Sequence, residues 1–174
     1  MSSNISSVAD PIGEHVLLRL WSETDLAAVR DGIRRASWAA DFPADGDRVI
    51  AAMIAETPEW QGEFGHRLIL ERDSGLAVGS IGLFWPPEHG AVEIGYGIVP
   101  SRRGRGLAAE ATRLLTGFAF TEPRVHTVFA TVETTNPASI RVLEKAGFER
   151  WSVSAADGTE RWGCRRDSPN PLSR

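Results

Sequence analysis

The sequence of 174 residues has one cysteine, Cys164, one tyrosine, Tyr96, and a single lysine, Lys145. A lone cysteine excludes an intramolecular disulfide framework and any multi-thiolate zinc site. The four histidines, His15, His66, His89 and His126, are scattered without ligand spacing, so no metal is expected. Positive charge is not in excess either: 19 Lys and Arg stand against 23 Asp and Glu, a net charge of −4. That balance argues against a nucleic-acid partner. No apolar run approaches a membrane span, and the first residues hold no signal-peptide core. No membrane partner is expected, and a cytoplasmic location is. Arginine in place of lysine, with abundant alanine and glycine, fits a GC-rich, bacterial genome.

What remains is ordinary for a globular chain. Hydrophobic residues are 42% and charged residues 24%, and this length supports one domain with a sizeable core. That domain is expected over 13–166, between a loose N-terminal segment, 1–12, and a flexible tail, 167–174, with two prolines and few apolar groups.

The apolar period alternates between 2 and 3.6, which indicates mixed α and β structure. Strands are expected over His15–Leu20, Arg67–Arg72, Ala77–Phe84, Ala91–Val99, Thr127–Val132, Phe148–Ser154 and Glu160–Arg165. Thr24 is expected to cap a first helix buried through Leu26, Val29 and Ile33. A second helix carries Val49, Ile50, Met53 and Ile54 and stops near Pro58. A long helix follows Gly106 with apolar positions Leu107, Ala111, Leu114, Leu115 and Phe118. Asn136 caps a short last helix, with Pro137 in its first turn and Gly147 closing it. The order is then β-α-α-β-β-β-α-β-α-β-β.

The chemically informative segment is EIGYGIVPSRRGRGLAAEATRLL. A strand runs into a glycine loop and then a helix whose first N–H groups have no internal partners. Gly104 and Gly106 permit close approach to the backbone, and Arg102, Arg103 and Arg105 add positive charge. Together these fit a pyrophosphate, although a turn with solvated arginines has the same pattern. No Gly-Lys-Ser/Thr follows for a P-loop, and no third glycine stands where a dinucleotide fold places it.

Further along comes NPASIRVLEKAGF. The pairing of RRGRGLAAEA with this stretch resembles the GNAT superfamily of acetyl-coenzyme-A-dependent N-acetyltransferases, over roughly Leu17 to Cys164. The second motif is most similar to the RimJ/RimL branch, which modifies ribosomal-protein N-termini. The resemblance implies an α/β fold with a mixed, mostly antiparallel sheet of about 6–7 strands and about four helices, splayed around acetyl-CoA. It implies that backbone amides of Arg103, Gly104, Arg105, Gly106, Leu107 and Ala108 hold the pyrophosphate. Ser101 stands where the family often has Gln or Arg. Ile98, Val99 and Pro100 would pair with the pantetheine arm. Asn136 would bond that arm, or simply cap its helix.

Ser139 matches a serine that RimL-like enzymes place near the departing sulfur. Leu143 stands where many relatives carry an acidic tyrosine, so Ser139, or a water it holds, is the expected proton donor. Glu93 is the first candidate base, because it shares a strand face with Ala91, Gly95 and Gly97; Asp41 and Glu133 are alternatives. Val92, Ile94, Tyr96 and Ile98 are expected to fill the core from the other face. Among six tryptophans, Trp38, Trp60 and Trp85 fall with Phe42 in segments that flank the acceptor cleft of this family. They would bind substrate or pack as ordinary core. Trp151 and Trp162 are left to pack the core or the partner subunit of a homodimer. The partners implied are acetyl-CoA and an amine, either a peptide N-terminus or a small molecule such as an amino acid, polyamine or aminoglycoside-like compound. A coenzyme-A-binding module with little catalysis is the alternative.

Overall fold

The computed structural model describes residues 9–167. Strand β1 (Val16–Leu20) is followed by helices α1 (Glu23–Asp31) and α2 (Asp45–Glu56). Three consecutive strands come next, β2 (His66–Glu71), β3 (Ala77–Leu83) and β4 (Ala91–Ile98). Then follow α3 (Leu107–Ala119), β5 (Thr127–Glu133), α4 (Pro137–Lys145) and the hairpin β6 (Glu149–Ser154) and β7 (Thr159–Arg165). The order of elements is the one expected from the sequence. The strands form one seven-stranded sheet in the order β1-β2-β3-β4-β5-β7-β6. All pairs are antiparallel except β4–β5. This parallel join is short, running from Ala91↔Thr127 to Glu93↔Phe129. Beyond Glu93, β4 pairs with β3 alone.

The core lies between this sheet and its helices. It holds Val16, Leu18, Ile54, Leu68, Val78, Ile81, Val92, Ile94 and Leu115, all nearly or fully buried. Helix α3 buries Leu107, Ala111, Leu115 and Ala119, a stripe at four-residue spacing.

Local chemistry moves two helix boundaries from their expected places. Ser22, not Thr24, caps α1: its hydroxyl accepts from Asp25 N at 3.0 Å, and the Asp25 carboxylate accepts from Ser22 N at 3.0 Å. Gly32, at φ 68°, closes α1, so Ile33 lies outside it and is exposed. In α2 the exposed residues include Val49 and Met53, while Asp47, Ala51 and Ile54 face inward. A polar residue therefore sits in the buried stripe, which a search for apolar period passes over.

The segment expected to be loose is pinned where it is described. Asp10 Oδ1 accepts from the buried Arg67 guanidinium at 2.7 Å, and Pro11 O accepts from Leu18 N at 2.9 Å. A buried cation requires such a partner. Residues 1–8 and 168–174 of the two expected loose segments lie outside the described residues. On the last hairpin Trp162 joins the core, while Trp151 lies across Gly163 and is partly exposed. Among the described residues, no helix is long and apolar enough to cross a membrane.

Candidate active site

After β4 the chain makes a 3-10 turn (Pro100–Arg102) and enters α3 through Gly104 and Gly106, both at φ 76°. That left-handed conformation favours glycine, and a Cβ at either position would meet nothing within 4 Å. The loop therefore faces open space. Gly106 is the N-cap of α3 and supplies no side-chain cap, so the first N–H groups of the helix keep their hydrogen-bonding capacity. A cavity of about 470 Å³ opens here. Ile98, the run Arg103 to Ala108, Asn136 and Ser139, all named from the sequence as site residues, line it together. Arg102, Arg141 and Lys145 line it too, and among the described residues no carboxylate does. Arg141 and Lys145 were missed, although their spacing puts both on one face of α4.

Val99 and Pro100, expected to pair with pantetheine, do not line the cavity. Val99 is fully buried and its N–H donates to Val78 O at 2.9 Å; proline has no N–H to offer. The ladder explains the shift. Glu93 O accepts from Phe84 N, just past β3, and Val99 N donates to Val78 O, so in this antiparallel register the groups of Ile94, Tyr96 and Ile98 point away from β3. They point to the side where β5 no longer pairs. Arg103 Nε already donates to Ile98 O at 3.0 Å.

Two loop features are structural. Ser101 N and Oγ donate to Asp41 at 2.8 and 2.7 Å. These bonds hold the Asp41 carboxyl below its ordinary range and occupy it as a base. Arg102 Nε donates to Glu71 Oε1 at 3.2 Å, and Arg105 stands 3.6 Å from Oε2. Burial works to raise Glu71, but bonds from Ser74 and Arg102 and the charge of both arginines outweigh it and hold the carboxyl low.

Asn136 caps α4, its Oδ1 accepting from Ser139 N at 3.1 Å. Ser139 Oγ lies 2.8 Å from Tyr96 Oη, which also donates to Ser139 O at 3.1 Å. The phenol is pushed up to about 12 by burial, against the lesser pull of the bond to Ser139. Tyr96 was expected in the core; its hydroxyl instead sits in the cavity wall beside the expected proton donor.

A second cavity, about 300 Å³, lies against α2 and shares Tyr96, Gly97, Ile98 and Arg103 with the first. Asp47, Ser80 and His66 line it. Asp47 Oδ1 accepts from Ser80 Oγ at 2.5 Å and Oδ2 from Ala44 N at 2.8 Å. Burial raises the carboxyl above its ordinary value despite these bonds. His66 is 2% exposed, and its Nε2 has no hydrogen-bond partner. Desolvation lowers its imidazole to about 4.

Glu93 lines neither cavity. It is half-buried at the end of the β4–β5 pairing, and the Phe84 ring covers Gly95, the next residue on its face. Phe84 fills the space beside Gly95, whereas nothing stands within 4 Å of a Cβ at Gly97, and both glycines line the second cavity. Glu133 is exposed at the end of β5. Trp38 and Phe42 pack edge to face at 5.4 Å inside the core, 4% and 0% exposed, and line neither cavity. Trp85 stacks on Phe64 at 4.5 Å, outside both.

The sequence pattern of the acetyltransferase (GNAT) domain family matches residues 15–149. The "Probable N-acetyltransferase YjcK" of Bacillus subtilis is 32% identical over 65% of this chain and 63% of its own length, so the match spans less than two thirds of that relative. A GNAT-family acetyltransferase structure from Bacillus anthracis superposes with a TM-score of 0.65 at 20% identity, covering 90% of this chain and 98% of that one. The aminoglycoside acetyltransferase AAC(6')-Ib, solved with coenzyme A and kanamycin, superposes at 0.64 with 24% identity, over 87% of this chain and 95% of that one.

Proposed function

Because the chain belongs to the GNAT acetyltransferase domain family, we propose that it moves an acetyl group from acetyl-CoA directly to a primary amine. The observation that carries this is the uncapped start of α3 with five cations around it, opening on the free edge of β4. Amides of residues 103–108 hold the pyrophosphate. Arg141 and Lys145 take the remaining phosphate charge. The main-chain groups of Tyr96 and Ile98 bind the pantetheine arm as an added strand would, and Asn136 offers its amide N–H, since its oxygen is used as a cap.

Acetyl-CoA supplies an acetyl group activated as a thioester. The transfer forms a C–N bond and breaks the C–S bond; the amine nitrogen gives up two protons, one ending on sulfur and one in solvent. A thiol titrates near 8.5, so the sulfur needs little help to leave. Ser139, held by Tyr96, provides that help. Cys164 lies half-buried on β7 with its thiol pushed up by burial and by Glu149, which supports direct transfer in a ternary complex over an acetyl-cysteine. The RimJ/RimL likeness around Ser139 favours a peptide N-terminus, whereas the cavity against α2 favours a small amine.

A thermal-shift titration tests the donor site. At 100 times its dissociation constant, acetyl-CoA adds about 2.7 kcal/mol, a rise of about 5–10 °C for a chain of this size. No shift with acetyl-CoA or free CoA would overturn the reading. A shift without thiol release for any amine would leave a coenzyme-binding module.

A further inference from the structure

We propose that the cavity against α2 is the acceptor pocket, and that Asp47, with Ser80 and His66, selects a compact primary amine carrying one positive charge. The inference rests on the acetyl-transfer reading and adds the class of acceptor.

Position comes first. The cavity meets the donor cavity at Tyr96, Gly97, Ile98 and Arg103. Gly97 has open space where its Cβ would stand. A nucleophile seated here therefore reaches the edge of β4 from the face that carries Ser80 and Gly97, opposite the one from which Tyr96 meets α4. Glu93 lines neither of the two cavities.

The chemistry of Asp47 comes second. Capping α2 uses only Oδ2, which accepts from Ala44 N. The other oxygen is engaged by Ser80, a buried hydroxyl in mid-β3 opposite Gly97, which helix capping does not require. Each carboxylate oxygen has two lone pairs, so acceptor capacity remains for an ammonium. Among the described residues Asp47 forms no ion pair, and the charge of Arg48 is the least of the influences on it; burying a carboxylate without a close partner is costly, and an ammonium would offset that cost. His66 adds a neutral part of the wall: its side chain is nearly buried in the lining, and its Nε2, closed off from solvent, has no partner among the described residues. Its ring is wedged between Trp60 and Phe84, with centroids at 4.8 and 5.3 Å. It stays neutral at physiological pH and does not repel a cation.

Exclusion comes third. Among the described residues Asp47 is the one carboxylate lining this cavity, and Arg103 lines it too. A second ammonium, as in a polyamine or aminoglycoside, would meet Arg103 or the apolar Ile50 and Ile81. The volume, about 300 Å³, is at the low end for small-molecule sites. The same apolar walls offer no partners for the amides of a peptide.

Isothermal titration with 2-phenylethylamine, into the free protein and into protein saturated with CoA, tests this. One site is expected. Asp47→Asn should weaken binding at least tenfold and Ser80→Ala several-fold, the latter leaving the Ala44 cap intact. Spermidine, kanamycin and trialanine should each bind at least tenfold more weakly than 2-phenylethylamine. No binding by the wild type, unchanged binding in both variants, or tighter binding of a polycation or peptide would overturn the proposal. If Asp47→Asn fails to fold, Ser80→Ala decides. Failure of the donor reading is separate: it appears as loss of the acetyl-CoA thermal shift, while the amine titration still gives its own answer.

Discussion

Burial lifts the Tyr96 phenol to about 12, and in the proposed reaction its hydroxyl, 2.8 Å from Ser139 Oγ, supports proton donation from Ser139 to the departing sulfur. Tyr96→Phe is expected to lower kcat about tenfold to a hundredfold, the low side of general-acid effects because a thiolate leaves readily. The acetyl-CoA dissociation constant should stay within about twofold. Equal turnover in mutant and wild type would remove Tyr96 from the chemistry. The same shift has a stability consequence. A phenol whose folded value lies above its unfolded value near 10 stabilises fully below pH 10 and loses that contribution as pH rises toward 12. Denaturant midpoints between pH 9 and 12 should therefore fall less in Tyr96→Phe than in the wild type. Strand alternation assigned Tyr96 to the core because it reports a face, not where a hydroxyl at the end of a long side chain arrives. Asp47 and His66 escaped for a related reason: a buried polar residue interrupts an apolar pattern without announcing a site.

At the scale of elements, the loop into α3 depends on backbone shape. Gly104→Ala and Gly106→Ala would each force a left-handed conformation on a side chain, costing about 1–2 kcal/mol and lowering Tm by about 2–8 °C in a domain of this size. No neighbour stands within 4 Å to add a clash, so the cost in the free protein is conformational. With coenzyme bound, the added methyl stands where phosphate would approach. The acetyl-CoA thermal shift should shrink by more than half in both variants; an undiminished shift would mean the loop is not the cradle. This loop was legible because its signals are local: two glycines, a cluster of arginines and an apolar helical stripe. All seven strands and four helices were legible for the same reason, with ends displaced by a residue or two. Capping choices such as Ser22 over Thr24 depend on which hydroxyl the Asp25 carboxylate answers, and that pairing competes among neighbours too similar to rank.

For the molecule as a whole, the sheet is joined at its middle by a short parallel pairing between Ala91–Glu93 and Thr127–Phe129. The strands β1 to β4 stand on one side of that join and β5, β7 and β6 on the other. A coenzyme held between α3 and α4 would span it. Hydrogen exchange should therefore slow across β5, β7 and α4 when acetyl-CoA binds, by tenfold or more at the slowest amides, while β2 and β3 change little. Uniform protection of both halves, or none, would count against the bridge. Such a join was invisible beforehand, because pairing length depends on how two distant strands diverge. The common wall of Tyr96, Gly97 and Ile98 divides the labour of inheritance as well. Residues proposed to hold the donor come from the β4–α3 loop and α4, whereas those proposed to face the acceptor come from α2, β2 and β3. Drift in the second set can retune what the protein modifies while the first stays fixed, so descendants of such a chain can diverge in substrate without relearning how to hold their coenzyme.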